Sequence, residues 1–584
     1  MRPLTLNIMF SNTFLSHLIP ALLTFSFVLP IFIQATPAVA GADEMRQEQV
    51  RELLRNRLEA GRLEASLKVA DEPIFSQTNL PAFYINRGFD TAWTSEGVPA
   101  PVVDSLITAI RNSYHEGLNP DDYHLRIIEE YVANVRSRDV ARLSIQPGIL
   151  VDIELLCTDA YLILASHYLS GKVDPATIDS YWRAQRRELN LAEYLQTAVE
   201  NGTIIQSLNN LLPARPGYGY LRDALRRYRA IEKAGGWPSI PEGPVIRKGD
   251  RGDRIPLLRQ RLLLAGDLSV NADTTDTLFD DILEAGVRRF QYRHGLDADG
   301  IVGAATTRAL NTPVRDRLIA TELNLERWRW LPQDLGERHI VVNIAGFDVR
   351  VIESDEVVMQ MKAVVGRLYR QTPVFSGRMT YLVLSPFWHI PPTIARQDVL
   401  PQVQRDVEYL SRQNMKVFQG WGADTREVDP HTIDWGSVNR RTMPYRFRQD
   451  PGPANALGTV KFMFPNQYHV YLHDSPARDL FGRAQRDFSS GCIRVEKPLE
   501  LAAYLLRGTR WTPAEISKAM SEPVERTVNL PQSIPVHLLY WTAWAEQDGT
   551  IHFRHDVYQR DGKLLAALRS IRPGINTAIG SIDI

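Results

Sequence analysis

The stretch Phe488-Ser489-Ser490-Gly491-Cys492-Ile493-Arg494 places one of the two cysteines of this 584-residue chain directly after a Ser-Gly turn. The histidine of Tyr471-Leu472-His473-Asp474 stands nineteen positions before that cysteine. Because an ordinary thiol is only slightly ionised at neutral pH, a catalytic cysteine needs an imidazole or converging N–H groups that favour its anion. We therefore predict that Cys492 is a nucleophile and His473 its base. The N–H groups of Gly491 and Cys492 are predicted to bind the oxygen of a tetrahedral intermediate.

Three other roles are possible for these cysteines. A free cysteine is often a buried, inert residue, and Cys157 fits that description because it follows the apolar run 151–156. A disulfide between Cys157 and Cys492 is possible in an oxidising compartment. A zinc site of His469, His473 and Cys492 lacks a fourth ligand at metal spacing.

The composition is that of ordinary soluble domains. Apolar residues make up 44% of the chain, charged residues 23%, and the formal net charge is -1. A chain of this length exceeds a single core, so three or four domains are expected. A near-neutral chain lacks the broad positive field that nucleic acid requires, so no nucleic-acid partner is predicted.

The first forty residues differ from the rest. No charged residue occurs from Pro3 to Ala42, and the apolar run 18–33 is followed by Ala38-Val39-Ala40, a small-x-small cleavage signal. Residues 1–40 are predicted to be an export signal, with an uncleaved anchor as the alternative. Either interpretation places the bulk of the chain outside the cytoplasm, and an uncleaved anchor would tether it to a membrane.

Changes of periodicity divide the remainder into domains. Helical spacing of apolar residues predicts a helical scaffold domain over 44–240, which ends in a proline-glycine cluster. A small three-helix domain is predicted over 246–312. Strand-like runs begin near Arg338 and predict a mostly β domain over 338–510, with an insertion at about 391–450 and a separate C-terminal segment at 511–584. The predicted fold class is multidomain α+β.

Strand alternation supports the assignment of the base. Residues 455–464 and 467–473 are predicted to form two strands joined at Pro465-Asn466. In the second strand, His469, Tyr471 and His473 share one face, because side chains alternate along a strand. His473 would then be held on a rigid element with Tyr471 as its neighbour.

These motifs resemble two known families. The series His473, Gly482, Ser489, Gly491, Cys492 and Arg494 matches the H...G...S-x-G-C-x-R signature of YkuD-type L,D-transpeptidases. The motif Thr372-Pro373-Val374-Phe375 and the segment 451–458 resemble the corresponding segments of the large periplasmic family members found in Gram-negative bacteria. Residues 246–312 resemble a peptidoglycan-binding domain, through Lys248-Gly249-Asp250, Phe290-Gln291 and the turn 299–303. Ser490 and Asp474 depart from smaller relatives, which have histidine and glycine there.

The resemblance implies acyl transfer through a thioester on Cys492, without a cofactor. The donor would be a peptidoglycan tetrapeptide stem that releases D-alanine, the acceptor a second stem, and the product a 3→3 cross-link. Carbapenems would acylate the same thiol. Arg494 would either fix the turn or meet a substrate carboxylate, and Tyr471 and Trp388 would either line the cleft or simply pack. Further candidates for substrate contact are Ser489 and Ser490.

Alternatives to the transpeptidase stay open at this point. A cysteine hydrolase of the same fold would use the same residues and differ only in whether water or an amine reaches the thioester. A non-catalytic wall-binding protein would keep the peptidoglycan-binding domain alone. The acceptor could also be a lipoprotein lysine or a free D-amino acid, and envelope proteins of cell-wall synthesis are possible partners.

Overall fold

The computed structural model describes residues 37–63, 67–137, 145–182, 186–420 and 422–570. The export signal or anchor predicted over 1–40 lies almost wholly outside these residues. Within the described ranges, every helix is too short or too polar to cross a bilayer.

A helical region forms the first part of the molecule. Its longest buried helix, α5 (Pro147–Ser170), is buried on nearly every side and begins with Pro147, a residue that suits the first turn of a helix. The buried Glu154 on this helix accepts hydrogen bonds from the Tyr84 and Thr94 hydroxyls and from the N–H groups of Ala92 and Trp93. The helices of this region are α1 Pro37–Leu63, α2 Asn79–Asn86, α3 Pro101–Asn112, α4 Leu125–Ser137, α5 Pro147–Ser170, α6 Pro175–Ile178, α7 Leu191–Glu200, α8 Ile204–Asn210 and α9 Pro216–Lys233.

Four very short strands accompany these helices. They pair antiparallel as β1 with β2 and β3 with β4. Their bounds are β1 Lys68–Val69, β2 Glu72–Pro73, β3 Thr94–Ser95 and β4 Val98–Pro99.

A three-helix domain follows, with its own apolar core. Phe290 and Leu258 are fully buried at its centre, and an isolated bridge joins Ile246 to Val302. The long helix α13 then leads into the β domain, and Trp330 beyond its end packs edge-on against Trp182 of the helical region. The helices are α10 Arg254–Ala265, α11 Asp281–Arg293, α12 Ala304–Leu310 and α13 Val314–Arg329.

The β domain is built on a nine-stranded sheet with the order β15-β7-β16-β14-β13-β8-β17-β5-β6. An additional pairing between β7 and β6 closes the sheet on itself. The strands are β5 Arg338–Asn343, β6 Asp348–Glu353, β7 Glu356–Gly366, β8 Phe375–Leu384, β13 Val460–Met463, β14 Leu472–His473, β15 Asp487–Ser489, β16 Ile493–Val495 and β17 Arg526–Leu539.

An inserted subdomain interrupts this sheet between β8 and β13. It has a four-stranded sheet of order β11-β10-β12-β9 and an apolar core that includes Leu400 and Val417. Residues 395–399 form a π-helix within it. Its other elements are β9 Trp388–His389, α14 Pro392–Ile394, α15 Leu400–Arg405, α16 Glu408–Arg412, β10 Met415–Gln419, β11 Arg426–Val428 and β12 Tyr445–Gln449.

The C-terminal part of the chain requires a correction. A separate segment was predicted after residue 510, yet β17 lies inside the sheet, parallel to β5 and antiparallel to β8. The alternation of Ile534, Val536 and Leu538, all fully buried, explains its central position. The remaining elements are α17 Pro498–Leu505, α18 Pro513–Ser521, β18 Ala543–Ala545, β19 Ile551–Phe553 and α19 Asp561–Leu568.

The two strands predicted around His473 are shorter than expected. Within the two predicted runs, only residues 460–463 and 472–473 have strand structure. His469 has a φ of 55°, in the left-handed region, so the chain turns there and the predicted run of three same-face residues begins at Tyr471. The multidomain α+β class itself is confirmed.

Candidate active site

The predicted site residues line one cleft of about 840 Å³. Its floor is formed by residues in and beside β14 and β16, and its roof is the inserted subdomain. Tyr181 of the helical region contributes to one wall. The predicted residues found here are Trp388, Tyr471, His473, Ser489, Ser490, Gly491, Cys492 and Arg494.

Cys492 is the reactive sulfur of this cleft. It is partly exposed, and its Sγ lies 3.7 Å from the carbonyl oxygen of His469, to which the thiol can donate. The backbone and the hydroxyl of Tyr471 lie near this sulfur and favour its anion. Burial raises the pKa of Cys492, and these Tyr471 groups oppose that rise together with the charges of Lys461 and Arg494. The resting residue is therefore a neutral thiol surrounded by groups that favour the anion.

His473 is held on β14, next to the strand that follows the cysteine. The two strands are parallel, with Leu472 opposite Ile493 and His473 opposite Arg494. The side chain is buried, and its Nδ1 lies 2.5 Å from the carbonyl oxygen of Asp474. A carbonyl only accepts, so the neutral imidazole carries its proton on Nδ1 and leaves Nε2 as the proton acceptor.

Burial keeps this histidine neutral. Burial lowers the pKa of His473 to about 3, helped by the charge of Arg494 and opposed by the carbonyls of Asp474 and Leu457. At neutral pH the imidazole is therefore unprotonated and free to accept a proton. Before substrate binds, the Cys492 thiol and the His473 imidazole are therefore both uncharged.

The third partner of His473 is the backbone of Asp474, which the sequence did not identify. The Asp474 carboxylate makes other contacts. Its oxygens accept from the N–H and hydroxyl of Thr459, at 2.9 and 2.8 Å, and from Arg478 at 3.1 Å. A Cβ on Gly458 would clash with this carboxylate. Aspartate at this position thus fixes the strand that orients the base.

The turn before Cys492 corrects one prediction. Gly491 has a φ of 116°, and its N–H donates to Ser489 Oγ at 3.1 Å, while that hydroxyl donates to the carbonyl oxygen of Cys492 at 2.5 Å. The Gly491 N–H is therefore engaged inside the turn and does not serve the oxyanion in this arrangement. Within the described part of the chain, the Cys492 N–H has no hydrogen-bond acceptor and is the available donor.

Tyr471 and Trp388 act together on the cleft wall. Both side chains line the cleft, and Trp388 and Cys492 lie near enough to the Tyr471 hydroxyl to shift its pKa in opposite directions. Burial, followed by the nearby Cys492, raises the pKa of Tyr471 well above its usual value, so the phenol stays a donor. Lys461, opposite His473 on β13, lies with its Nζ 5.0 Å from the centre of the Tyr471 ring.

Arg494 is a cation without a carboxylate partner among the described residues. Its Nε is buried and makes no hydrogen bond there. Burial lowers the pKa of Arg494, and the neighbouring Arg367 adds to that effect. Of its two predicted roles, the contacts give no support to fixing the turn. A guanidinium that is free beside a nucleophile is suited to a substrate carboxylate.

Ser490 joins the catalytic turn to the roof. Its Oγ accepts from Arg370 Nη1 at 2.9 Å, and the same guanidinium binds Gln397 at 2.6 Å and Asp398. Gln397 and Asp398 belong to the π-helix of the inserted subdomain. Ser490 therefore contacts the roof through Arg370.

Sequence reasoning missed several residues of this site. Lys461 was detectable, because it is the polar member between apolar Val460 and Phe462 and faces His473. Thr372 was noted only as part of a motif that resembles the family, yet its hydroxyl donates a hydrogen bond to the Gly491 carbonyl oxygen at 2.8 Å. Tyr181 belongs to another domain, and nothing in its local sequence indicated the cleft.

The alternatives for the cysteines are resolved by their positions. Cys157 is fully buried in α5 and Cys492 lies in the cleft, and both are free thiols, so the disulfide alternative is wrong. Among the described residues, no group of three or more His, Cys, Asp and Glu side chains is placed as metal ligands.

The cleft thus holds a thiol and an imidazole on a β-sheet domain, and comparisons with known proteins indicate the class of that domain. Three family models match: a "Scaffold domain" over residues 78–225, a "Putative peptidoglycan binding domain" over 251–310 and a YkuD "L,D-transpeptidase catalytic domain" over 337–517. The chain thus carries a YkuD-type L,D-transpeptidase catalytic domain joined to a scaffold domain and a peptidoglycan-binding domain.

Individual relatives agree with these models. The chain is 34% identical over 242 residues to a "Putative L,D-transpeptidase" of Haemophilus influenzae, covering 41% of this chain and 48% of that protein. It is 39% identical over 80 residues to the "N-acetylmuramoyl-L-alanine amidase CwlM" of Mycobacterium tuberculosis, covering 12% and 20%. The chain therefore spans about half or less of the curated relatives it matches.

A solved structure was also compared. The L,D-transpeptidase (residues 123-326) from Xylanimonas cellulosilytica is 14% identical, and the match covers 51% of this chain and 98% of that one, with a TM-score of 0.17.

Proposed function

We propose that the protein is an L,D-transpeptidase that forms 3→3 cross-links in peptidoglycan through a thioester on Cys492. The observation that carries the proposal is the cleft itself. It brings together a thiol surrounded by donors and cations, a neutral imidazole whose tautomer is set by Asp474, and an Arg494 that has no carboxylate partner in the described chain. The match to a catalytic domain of that name supports the same reaction.

Acylation is the first half of the reaction. The sulfur of Cys492 attacks the carbonyl carbon at the L-centre of diaminopimelate in a donor tetrapeptide, and its proton moves to Nε2 of His473. The Cys492 N–H binds the oxygen that becomes negative. The tetrahedral intermediate then loses the amide nitrogen, His473 returns the proton to it, and D-alanine departs with a free amine.

Deacylation reverses these roles. The side-chain amine of diaminopimelate on an acceptor stem attacks the thioester carbon and gives its proton to His473. The carbon–sulfur bond breaks, the thiolate accepts that proton, and the new amide is the cross-link. Water in place of the amine would give hydrolysis, which is the alternative outcome. The roof of the inserted subdomain supports transfer, because a covered cleft limits access of water.

The location follows from the proposed substrate. Peptidoglycan lies outside the cytoplasmic membrane, so the protein is proposed to act in the periplasm after export. Its proposed partners are donor and acceptor stems, with other proteins of wall synthesis as possible neighbours.

A single incubation separates the proposed activities. The protein from Gly41 onward is mixed with purified disaccharide-tetrapeptide fragments, and products are followed by mass spectrometry. We expect a cross-linked dimer and one free D-alanine per cross-link. Tripeptide without dimer would establish a hydrolase, and unchanged fragments would contradict both enzymatic proposals. Adding a free D-amino acid or a lysine-ended lipopeptide identifies other acceptors.

Replacing Arg494 with glutamine tests the proposed carboxylate contact. We expect the KM for the tetrapeptide donor to rise about 10-fold or more, since a charge-assisted hydrogen bond contributes about 1.5–3 kcal/mol. A donor with its terminal carboxylate amidated should show a much smaller difference between the two proteins. Arg378→Gln on the exposed part of β8 is the control. An equal loss with both donors would show that Arg494 does not bind this carboxylate.

A further inference from the structure

The peptide unit between Gly491 and Cys492 is hydrogen-bonded, at its carbonyl oxygen, to the loop 366–372. Thr372 is fully buried, and its Oγ1 donates to the Gly491 carbonyl oxygen at 2.8 Å. The same Oγ1 accepts from the N–H of Gly366 at 3.0 Å. The loop 366–372 is thus fastened to the catalytic turn through one hydroxyl.

This hydrogen bond acts on the oxyanion donor. The carbonyl of Gly491 and the N–H of Cys492 belong to one planar peptide unit and point in opposite directions when that unit is trans. Fixing the carbonyl against Thr372 therefore fixes the direction of the N–H. Because the Gly491 N–H is already bonded to Ser489, the Cys492 N–H is the donor in this turn that can bind the substrate.

Thr372 is positioned in turn by Tyr558. The Tyr558 hydroxyl accepts from the Thr372 N–H at 3.2 Å and donates to the Gly366 carbonyl at 2.5 Å, so it joins both ends of the loop. Tyr558 is buried and lies between β19 and α19, forty-one residues beyond the end of the catalytic-domain match at 517. Its ring stacks on Tyr540 at 5.5 Å, a contact that does not need the hydroxyl.

A second link connects the same C-terminal stretch to this loop. Arg560 Nη2 donates to the Gln371 side chain at 2.8 Å, and Arg560 Nε lies 3.1 Å from Asp179 of the helical region. Two nearby residues of the C-terminal stretch therefore hold consecutive residues of the loop. This favours a role in placing the loop over general packing of the tail.

We propose that Tyr558 is a positioning residue of the reaction, which orients the Cys492 N–H through Thr372 and the Gly491 carbonyl. The inference rests on the proposed function, because it assigns that N–H to the oxyanion. The C-terminal stretch, outside the family's catalytic model, thereby becomes part of the active site.

The test is Tyr558→Phe, which keeps the stacked ring and removes only the hydroxyl. We expect the rate constant for acylation by the tetrapeptide to fall about 10-fold, less than the ~10²–10³ typical of removing an oxyanion donor itself. KM and the alkylation of Cys492 by iodoacetamide should stay unchanged, since alkylation depends on the thiolate and not on the oxyanion site. Tyr161→Phe removes another buried hydroxyl, bonded to Ser207 in the helical region, and is the matched control.

Thr372 provides a conservative rescue. Thr372→Val should lower acylation at least as much as Tyr558→Phe, whereas Thr372→Ser should retain most of it. Equal acylation by Tyr558→Phe and the parent would overturn the proposal. So would a parallel fall in alkylation and thermal stability, which would indicate a merely structural role.

Hydrogen exchange separates this inference from the proposed function. In Tyr558→Phe the amides of 366–372 and 489–493 should exchange faster than in the parent and in Tyr161→Phe. This measurement needs no turnover, so unchanged exchange would overturn the positioning role even if no substrate acylates the enzyme. If Tyr558→Phe exchanges faster but the parent itself fails to acylate, Tyr558 orders the catalytic turn and the proposed function is rejected.

Discussion

Cys492→Ala abolishes cross-linking, D-alanine release and hydrolysis together, because the thiol is the proposed nucleophile of every route. The loss should reach the background of the assay, which for removal of a covalent nucleophile is typically about 10⁶-fold. The other cysteine cannot substitute, since Cys157 is fully buried in α5 and burial raises its pKa well above the ordinary value.

Intact-protein mass spectrometry with a carbapenem gives a second measure of the same thiol. One covalent adduct should form on the parent, map to the peptide that contains Cys492, and be absent from Cys492→Ala. Cys157→Ala is the control and should form the adduct at the parental rate. Cross-linking by Cys492→Ala, or an adduct on Cys157, would contradict the assignment.

His473→Ala should acylate about 10²–10⁴-fold more slowly at neutral pH, the usual effect of removing a general base. The pH dependence gives the sharper result. Since the pKa of His473 is lowered to about 3, the parental base is unprotonated throughout the neutral range. Since the pKa of Cys492 is raised, the thiol of the variant ionises unaided only under alkaline conditions.

The two profiles should therefore differ in shape. Parental acylation should be nearly independent of pH from about 5 to 8, while that of His473→Ala should rise about tenfold per pH unit until the thiol ionises. The matched control is His469→Asn, which removes the cleft's other histidine and keeps a residue that tolerates the left-handed backbone. Its profile should follow the parent. A parental profile retained by His473→Ala would assign the base elsewhere.

The sequence predicted the parts of this site that lie close together along the chain. The turn before Cys492 and the alternation that presents Tyr471 and His473 are local properties, because side-chain direction in a strand follows from position alone. Their meeting in one cleft could be expected from the resemblance to a known signature. The structure places all of the predicted candidates there.

The contacts that the sequence did not reveal depend on distant segments. The partner of Gly491 is Thr372, more than a hundred residues earlier, and the partner of Thr372 is Tyr558, nearly two hundred residues later. Hydrogen bonds of this kind leave no periodic pattern. The engagement of the Gly491 N–H was missed for a different reason: the Ser489 hydroxyl competes for it locally, as serine side chains often do in turns.

The predicted C-terminal boundary of the catalytic domain was wrong, because the sequence of a strand does not show which strands pair with it. The run 526–539 has ordinary strand character, but only the completed sheet shows that it pairs with β8 and β5. A cut after residue 517 follows the family match and would remove this central strand.

The central position of β17 also bears on how the molecule is made. Val536 pairs with Ile340, so almost two hundred residues must be synthesised after β5 before the two strands can meet. Contacts of such long sequence separation slow folding, because the closure of a long loop precedes any gain from pairing. The catalytic domain therefore cannot mature progressively from its N-terminal end. The proposed export would benefit from this delay if the chain crosses the membrane unfolded, since no stable sheet is present to block its passage until the last strand has arrived.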